Sequence, residues 1–384
     1  MREATGHMKN SEKGFTLLEI LIAIVILGII AAMNNQLLTR MILGSRQQER
    51  IVSTQFESAL GLEMMRMDIE QAGFGLPDQF SMSCSGCTEA ASAPANTYNM
   101  AGNQPPAISF GDQTAFAGGY IQFSDYLVIR SPAVGMNAAC GKWTYIDGTR
   151  PHQWYDTNRD MTSAPQNYMI VIKPRTRTSP VSQLVMKADN DFAVKYSTTA
   201  DLDTAYQPVP TQRYIAYGVE DASVPVRPYN RADYYVRSVP TTSPSCAPNT
   251  GTLIKGVLNS AGGITEYPLI DCVANMQVLF RIDTNGDGVP DQTVSNLATY
   301  GTPPDPNLVR QYVKEIRVYI LAHEGTLDRS FNYNTPDIIV GDSGPPILGY
   351  TVNLPTLVGA DWAHYRWKLY SFSVKPREFY SALL

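Results

Sequence analysis

Apolar residues dominate the stretch from Phe15 to Met33, where only Thr16, Glu19 and Gly28 interrupt them. At a rise of about 1.5 Å per residue, a helix of this length is just long enough to span roughly 30 Å of hydrocarbon. A polar Asn-Asn-Gln sequence follows it. The pattern predicts a transmembrane helix over residues 15–36.

The helical pattern does not stop at this polar sequence. Apolar residues recur every three or four positions as far as Ala72, which is typical of an amphipathic helix. Gly73, Gly75 and Pro77 then end the pattern. We predict one helix from about Phe15 to Ala72, with residues 37–76 as its half outside the membrane. We expect its apolar stripe to be buried, either against its own globular domain or against other subunits.

The remaining residues, 77–384, have the composition of a β-rich domain. Tyr, Pro and Gly are abundant in the chain, at 22, 26 and 28 residues, and they serve as strand and turn residues. We predict an α+β fold, with the long helix packed on a mainly antiparallel β domain, and long loops over 77–118 and 131–166. The expected strands are Tyr120–Arg130, Tyr168–Lys173, Gln183–Lys187, Phe192–Tyr196, Arg213–Val219, Tyr234–Val239, Met276–Ile282, Val313–Ala322 and His364–Val374.

The leader, residues 1–14, places basic residues before the apolar run. Arg2, Lys9 and Lys13 stand there against Glu3 and Glu12, so the leader should remain in the cytoplasm and the body should be exported. A secretory signal peptide would end in a small-residue cleavage site after its apolar stretch. Here the stretch continues as helix, which favours a retained anchor.

Glu19 is the only charged residue in the apolar run. A charge inside a bilayer costs roughly 2.5–3.5 kcal/mol on insertion scales, so a carboxylate there calls for a partner. We expect that partner to be an amino group released by cleavage between Gly14 and Phe15 of a neighbouring copy. The alternative is that Glu19 reaches to the membrane surface.

The sequence from Lys13 to Glu19, KGFTLLE, resembles the start of type IV pilins and of the pseudopilins of type II secretion. The resemblance implies a prepilin peptidase that cleaves between Gly14 and Phe15 and methylates the new Phe15 amine. It also implies that Glu19 acts in assembly with other major and minor pilins through the N-terminal helix.

Later segments resemble the PilW-type minor pilins. Those segments are 68–74 at the predicted helix end, 268–283 in a central strand, and 313–318 and 365–374 in the last strands. This resemblance implies a structural subunit at or near the tip of a pilus, with a tip adhesin as a further partner.

An acidic segment, DTNGDGVPD, follows one predicted strand. Oxygen ligands at alternate residues, with glycine at the sixth place, are how a short loop wraps Ca²⁺. The candidate ligands are the side chains of Asp283, Asn285, Asp287 and Asp291 and the carbonyl of Val289. Val294 stands where an EF-hand has its bidentate Glu, so the alternative is an Asx-rich turn without metal.

Five cysteines lie in the part expected to be exported, where an oxidising compartment permits disulfides. Cys246 with Cys272 would close a predicted hairpin. Cys84 could pair with Cys87, or one of these two could pair with Cys140, which leaves one cysteine over.

The charge of the chain and the placement of its histidines argue against a nucleic-acid-binding protein and against a serine protease. The formal net charge of −5 and the absence of a basic run in the body disfavour binding to nucleic acid. The sequence GDSGP at 341–345 is similar to a serine-protease motif, but His323 lies only twenty residues before Ser343. We therefore expect no enzyme activity.

Together these patterns favour a minor pilin of a type IV pilus, anchored in the inner membrane with a periplasmic body before assembly and exposed on the pilus afterwards. Two alternatives stay open. One is a minor pseudopilin of a type II secretion system, and the other is a membrane-tethered adhesin or binding module that uses calcium-ordered loops.

Overall fold

The computed structural model describes residues 14, 16–100, 104–116, 118–156, 159–161, 167–177, 179–220, 223–238, 245–301 and 304–381. The chain divides into two compact units, Met1–Val52 and Ser53–Leu384. Each unit is described by itself below.

The described part of the first unit is the beginning of helix α1, Leu17–Glu70. Between Leu17 and Ile42 the large apolar side chains are exposed on all sides of the helix, from 83% at Leu17 to 48% at Ile42. A helix that is apolar on every side, rather than along one stripe, is suited to a lipid environment. By length and composition α1 is able to cross a membrane. The prediction of a long N-terminal helix is confirmed.

The second unit contains a main sheet of eight strands, ordered β16-β13-β11-β10-β9-β3-β2 with β12 paired to β11. Every neighbouring pair in it is antiparallel. The strands are β2 (Ile108–Thr114), β3 (Ser124–Ser131), β9 (Asn230–Arg237), β10 (Gly251–Leu258), β11 (Ile264–Ile282), β12 (Gln292–Val294), β13 (Val313–Glu324) and β16 (Arg366–Val374).

A second sheet of six strands has the order β1-β6-β5-β8-β4 with β7 paired to β5, and a separate hairpin joins β14 to β15. Among the described strands of the six-stranded sheet, β1 and β6 are the only parallel pair. These strands are β1 (Gln79–Phe80), β4 (Trp143–Ile146), β5 (Tyr168–Lys173), β6 (Gln183–Leu184), β7 (Ala193–Lys195), β8 (Tyr214–Glu220), β14 (Asp337–Asp342) and β15 (Leu348–Asn353). The described residues of this unit also form three short α-helices, α2 (Pro306–Tyr312), α3 (Leu354–Val358) and α4 (Arg377–Ser381).

The long strand β11 changes its main partner along its length, besides pairing with β12 at its end. Its first part pairs with β10 and its second part with β13. Cys272 lies between the two parts with φ 58°, and the pairing register shifts just after it. A residue in this left-handed region bends a strand, as at a bulge.

The last turns of α1 pack on the main sheet. Met65, Ile69 and Ala72 are 0% exposed and belong to the main hydrophobic core. At Gly61 a Cβ atom would lie 2.8 Å from the carbonyl oxygen of Leu269 in β11. Only glycine allows such close approach of the helix to this strand.

The predicted fold class is confirmed, and the expected strands are recovered in part. The strand expected at 168–173 has those bounds, whereas the one expected at Tyr120–Arg130 begins only at Ser124. The expectation of loops over 77–118 and 131–166 was wrong for three short strands, β1, β2 and β4. Their few residues show no clean alternation, and pairing with other strands defines them. The strands β10, β12, β14 and β15 were missed as well. β10 is buried along almost its whole length, so it shows no alternation of buried and exposed positions.

Candidate functional site

Reciprocal hydrogen bonds between Thr16 and Glu19 cap the start of α1. The backbone N–H and the hydroxyl of Thr16 donate to Oε2 of Glu19 at 2.9 and 3.0 Å. The N–H of Glu19 donates back to the Thr16 hydroxyl at 3.3 Å. This is a capping box, which satisfies amide groups that have no partner at a helix start.

The capping box engages only one oxygen of the Glu19 carboxylate. Among the described residues nothing donates a hydrogen bond to Oε1, and the residue is exposed. Phe15, the expected site of cleavage and methylation, lies outside the described residues, whereas Gly14 is described and exposed. The cleavage site, the methylation and the pairing of Glu19 with a Phe15 amine therefore stay predictions.

Sequence reasoning overlooked the role of Thr16. The signal was present, because Thr-x-x-Glu before an apolar run is the pattern of a capping box. Glu19 thus has a function within its own chain as well as the one expected between chains. Any test of Glu19 has to separate these two functions.

At the other end of α1, Asp68 joins the helix to the main sheet. Its Oδ2 lies 2.6 Å from Nζ of Lys255 in β10 and accepts a hydrogen bond of 2.6 Å from the hydroxyl of Tyr234 in β9. All three side chains are buried. Further out, Gln55 of α1 donates to Glu324 of β13 at 2.8 Å. The second unit thus holds the end of the helix by polar contacts as well as by its core.

The acidic loop connects β11 and β12 as a tight hairpin. Both oxygens of Asp283 accept backbone N–H groups at 2.7 Å, from Gly286 and Gly288. Gly286 and Gly288 have φ +79° and +84°, a conformation that suits glycine. Asp287 Oδ1 accepts from the Val289 N–H at 2.7 Å. Each of these aspartates caps the turn that follows it.

The other two candidate side chains are also engaged within the loop. Asn285 Oδ1 accepts from the Asp287 N–H at 2.9 Å. Asp291 accepts from the Thr284 hydroxyl at 2.8 Å, and the hydrogen bonds from Thr284 lower the pKa of the Asp291 carboxyl. The loop is therefore ordered by its own Asx turns.

The donor set of this loop fits a hard cation, but the loop is open. Carboxylate and amide oxygens are the ligands that Ca²⁺ prefers, and these side chains offer lone pairs to a cation in addition to those that accept hydrogen bonds. Among the described residues, only Cys246, Cys272 and His323 bring three His, Cys or carboxylate ligand atoms within 4.8 Å of one another. The three aspartates of the loop do not converge in this way. The ammonium of Lys314, itself buried, lies 3.9 Å from Asp283 Oδ2 and supplies a positive charge.

The cysteines form two disulfides, Cys84 with Cys87 and Cys246 with Cys272. The Cys140 thiol accepts a hydrogen bond from Asn230 Nδ2 at 3.0 Å. The cluster of Cys246, Cys272 and His323 is thus a disulfide beside an imidazole, so its sulfur atoms are not available as thiolate ligands for a metal.

The protease-like sequence at 341–345 does not assemble a catalytic group with His323. Ser343 is exposed in the turn between β14 and β15. His323 is 2% exposed, accepts from the Ala247 N–H at 2.8 Å and packs against Tyr365 and Trp367. Burial lowers the pKa of His323 to about 4, so it is neutral at physiological pH.

A family model matches the start of the chain. The prokaryotic N-terminal methylation motif covers residues 9–33. No curated protein and no solved structure gives a significant match to the chain. The matched segment contains the leader end, the KGFTLLE sequence and most of the apolar run. It indicates a precursor of the type IV pilin and pseudopilin kind, which is a structural protein family rather than an enzyme family. Such a precursor is processed by a prepilin peptidase, assembles with other pilins and fits an inner-membrane anchor.

Proposed function

We propose that this chain is a minor pilin of a type IV pilus, of the PilW-type branch, and that it acts in pilus initiation at or near the tip. The observation that carries the proposal is the matched methylation motif on a helix whose described apolar side chains are exposed on all sides up to Ile42. Such a helix needs a partner of equal apolarity. The membrane supplies it before assembly, and the helices of other pilins supply it afterwards.

The size of the second unit supports a minor, terminal position. A compact body of residues 53–384 has a radius of gyration of roughly 20 Å. Helices that pack together lie only about 8–10 Å apart. Many neighbouring copies of so large a body would crowd one another around a bundle of helices. A subunit used once or a few times at the end of the filament avoids this crowding.

Glu19 would set the position of the subunit along the bundle. Its free oxygen, Oε1, can accept the methylated amine of Phe15 from the next pilin while Oε2 keeps the capping box of its own chain. The Coulomb attraction between these charges is strong where water is excluded. Fixing register is the best-supported use of a buried ion pair.

We further propose that the β11–β12 loop binds Ca²⁺ through Asp283, Asn285, Asp287, Asp291 and the carbonyl of Val289. The alternation of oxygen donors and the two left-handed glycines support this proposal. Binding would draw the aspartates closer together than they lie here. When bound, the ion supplies positive charge to three carboxylates that repel one another, and so stabilises the periplasmic body.

Deletion of the gene in its host, with two readouts, tests the proposed function. We expect fewer surface pili by electron microscopy and unchanged release of proteins secreted by a type II system. Complementation with the wild-type chain should restore the pili, and gold-labelled antibody against the body should mark filament ends. Lost secretion with normal pili would instead identify a pseudopilin. Normal pili and normal secretion would favour the tethered adhesin.

A further inference from the structure

A cavity of about 450 Å³ opens on the second unit, between the segment before β3, the residues before β10 and the end of the β14–β15 hairpin. Its size is within the roughly 300–1,000 Å³ of small-molecule sites. None of its fourteen described lining residues carries a charge. We propose that this cavity binds a short neutral saccharide.

Two stacked aromatic rings form one wall of the cavity. The rings of Phe123 and Tyr350 lie with centroids 5.1 Å apart and planes 11° from parallel. Phe123 is 45% exposed, so part of its ring is accessible to a ligand in the cavity. Tyr120 also lines the cavity. Flat aromatic faces are suited to the C–H face of a pyranose ring, which is apolar although its rim is polar.

Phe123 is held in place at a conformational cost. Its φ of 60° is in the left-handed region, where a bulky residue is rarely found. Its carbonyl oxygen accepts hydrogen bonds from Nδ2 of Asn275 at 3.0 Å and Nε2 of Gln277 at 2.7 Å, and both of these amides are buried. Strain of this kind persists where the surroundings hold it, and it concentrates at binding sites.

Several lining residues carry polar groups that can receive hydroxyl donors. Gln122 donates through Nε2 to the Phe116 carbonyl at 2.7 Å, and Asn249 donates through Nδ2 to the Leu357 carbonyl at 2.7 Å. Each amide is thereby oriented, and no described residue donates to its oxygen. The hydroxyls of Tyr120 and Tyr350 likewise make no hydrogen bond within the described part of the chain. Sugar hydroxyls can donate to the amides and exchange hydrogen bonds with the tyrosines.

The absence of charge among the described lining residues selects between ligand classes. A ligand with a carboxylate, sulfate or ammonium group would be desolvated here without a counter-charge, which is costly. A purely apolar ligand would make no use of the exposed amides of Gln122 and Asn249 or of the tyrosine hydroxyls. A neutral saccharide satisfies both conditions. This inference is independent of pilus assembly, because binding can be measured on the isolated chain.

The test uses the full chain, purified in a detergent without a sugar headgroup, on an array of neutral and acidic oligosaccharides of one to four units. We expect retention by a subset of the neutral saccharides and not by their acidic counterparts. Titration calorimetry with a retained saccharide then compares variants. Tyr350→Ala should weaken binding at least tenfold. Tyr312→Ala should not, although Tyr312 is likewise half-buried and stacked, on Tyr300 at 5.3 Å.

A second variant covers the case in which Tyr350→Ala disturbs the fold. Thr351 is exposed at the cavity, so Thr351→Arg should block binding and leave the near-UV circular dichroism unchanged. Failure of all neutral saccharides to bind at millimolar concentration would overturn the proposal. So would equal affinity of wild type, Tyr350→Ala and Thr351→Arg. Loss of capture of another pilin in Tyr350→Ala, without saccharide binding by wild type, would assign the cavity to a subunit contact instead.

Discussion

The ammonium of Lys255 in β10 lies 2.6 Å from the carboxylate of Asp68 in α1, and both side chains are buried. Asp68 is two residues from the end of α1, where the helix packs on the main sheet. The pair therefore links the helix that carries the methylation motif to the sheet that forms the body.

Breaking this pair should destabilise the second unit strongly. Asp68→Asn keeps an acceptor for Tyr234 but leaves Lys255 as a buried charge without its counter-ion, which costs about 3–5 kcal/mol. The double variant Asp68→Asn/Lys255→Met should recover part of this loss. Urea denaturation of the full chain in detergent measures both. Glu63→Gln is the control, because Glu63 is exposed and lies 3.9 Å from Arg66, a surface pair worth about 1 kcal/mol or less.

Acid should destabilise the second unit through Glu89. Burial by itself would raise the pKa of Glu89, but Arg130 and Arg231 outweigh it and lower the pKa from 4.5 to about 2. Arg130 Nε lies 2.7 Å from its Oε1, and Arg231 Nη1 lies 3.5 Å from its Oε2. Because the folded-state pKa is lowered, this stabilisation is complete above pH 4.5 and is lost as the pH falls towards 2. It amounts to about 3 kcal/mol.

Melting temperatures of the full chain between pH 5 and pH 2 measure this effect. Glu89→Gln should lower the melting temperature at pH 5 and flatten its dependence on pH, whereas Glu63→Gln should keep the wild-type slope. An unchanged slope in Glu89→Gln would show that other carboxylates cause the acid sensitivity.

Processing should remove residues 1–14. Mass spectrometry of the mature chain should find Phe15 at the N-terminus with one added methyl group. Gly14→Val should block cleavage and leave the leader attached, because a β-branched side chain replaces a glycine at the expected cleavage site. Thr16→Val is the matched control beyond the bond and should still be cleaved. A mature wild-type chain that starts at Met1, or after Met33, would contradict the prediction.

Glu19 variants should separate capping from pairing between chains. Glu19→Gln retains the acceptor of the capping box and loses the charge, since Gln also serves at this position. Glu19→Val loses both. We expect both to insert and to be cleaved but to co-purify with other pilins at less than a tenth of the wild-type amount. Thr16→Ala, which weakens only the cap, should assemble. Normal assembly of Glu19→Gln would limit Glu19 to its role in the capping box.

Calcium should raise the melting temperature of the full chain. A ligand that binds only the folded state stabilises it, by about 2.7 kcal/mol at a hundred times the dissociation constant. Asp283→Ala/Asp287→Ala should abolish the rise. Asp147→Ala/Asp201→Ala, which removes two exposed aspartates elsewhere, should not. Melting that is the same with and without millimolar Ca²⁺ in wild type would favour the Asx-turn loop, with Lys314 as the neighbouring positive charge.

The sequence alone was sufficient for the long helix and the α+β class, and it contains the N-terminal methylation motif. These depend on local periodicity and on one short motif, which persist whatever the rest of the chain does. The capping box of Thr16 and Glu19 could also have been predicted from the sequence, because its two residues are three positions apart. A short strand such as β4 could not be predicted in this way. It is defined by its hydrogen bonds to β8, and its own residues show no strand pattern.

Only the tertiary structure decided which distant residues meet. Asp68 and Lys255 are far apart in sequence, and so are Phe123 and Tyr350. Nothing in the spacing of such residues indicates a contact, since packing of the sheets places them together. The sequence likewise gives no sign that Glu89 is buried. Only the tertiary structure shows that it pairs with Arg130 and Arg231. Local patterns determine elements, whereas burial, charge pairing and the cavity arise from the way those elements pack.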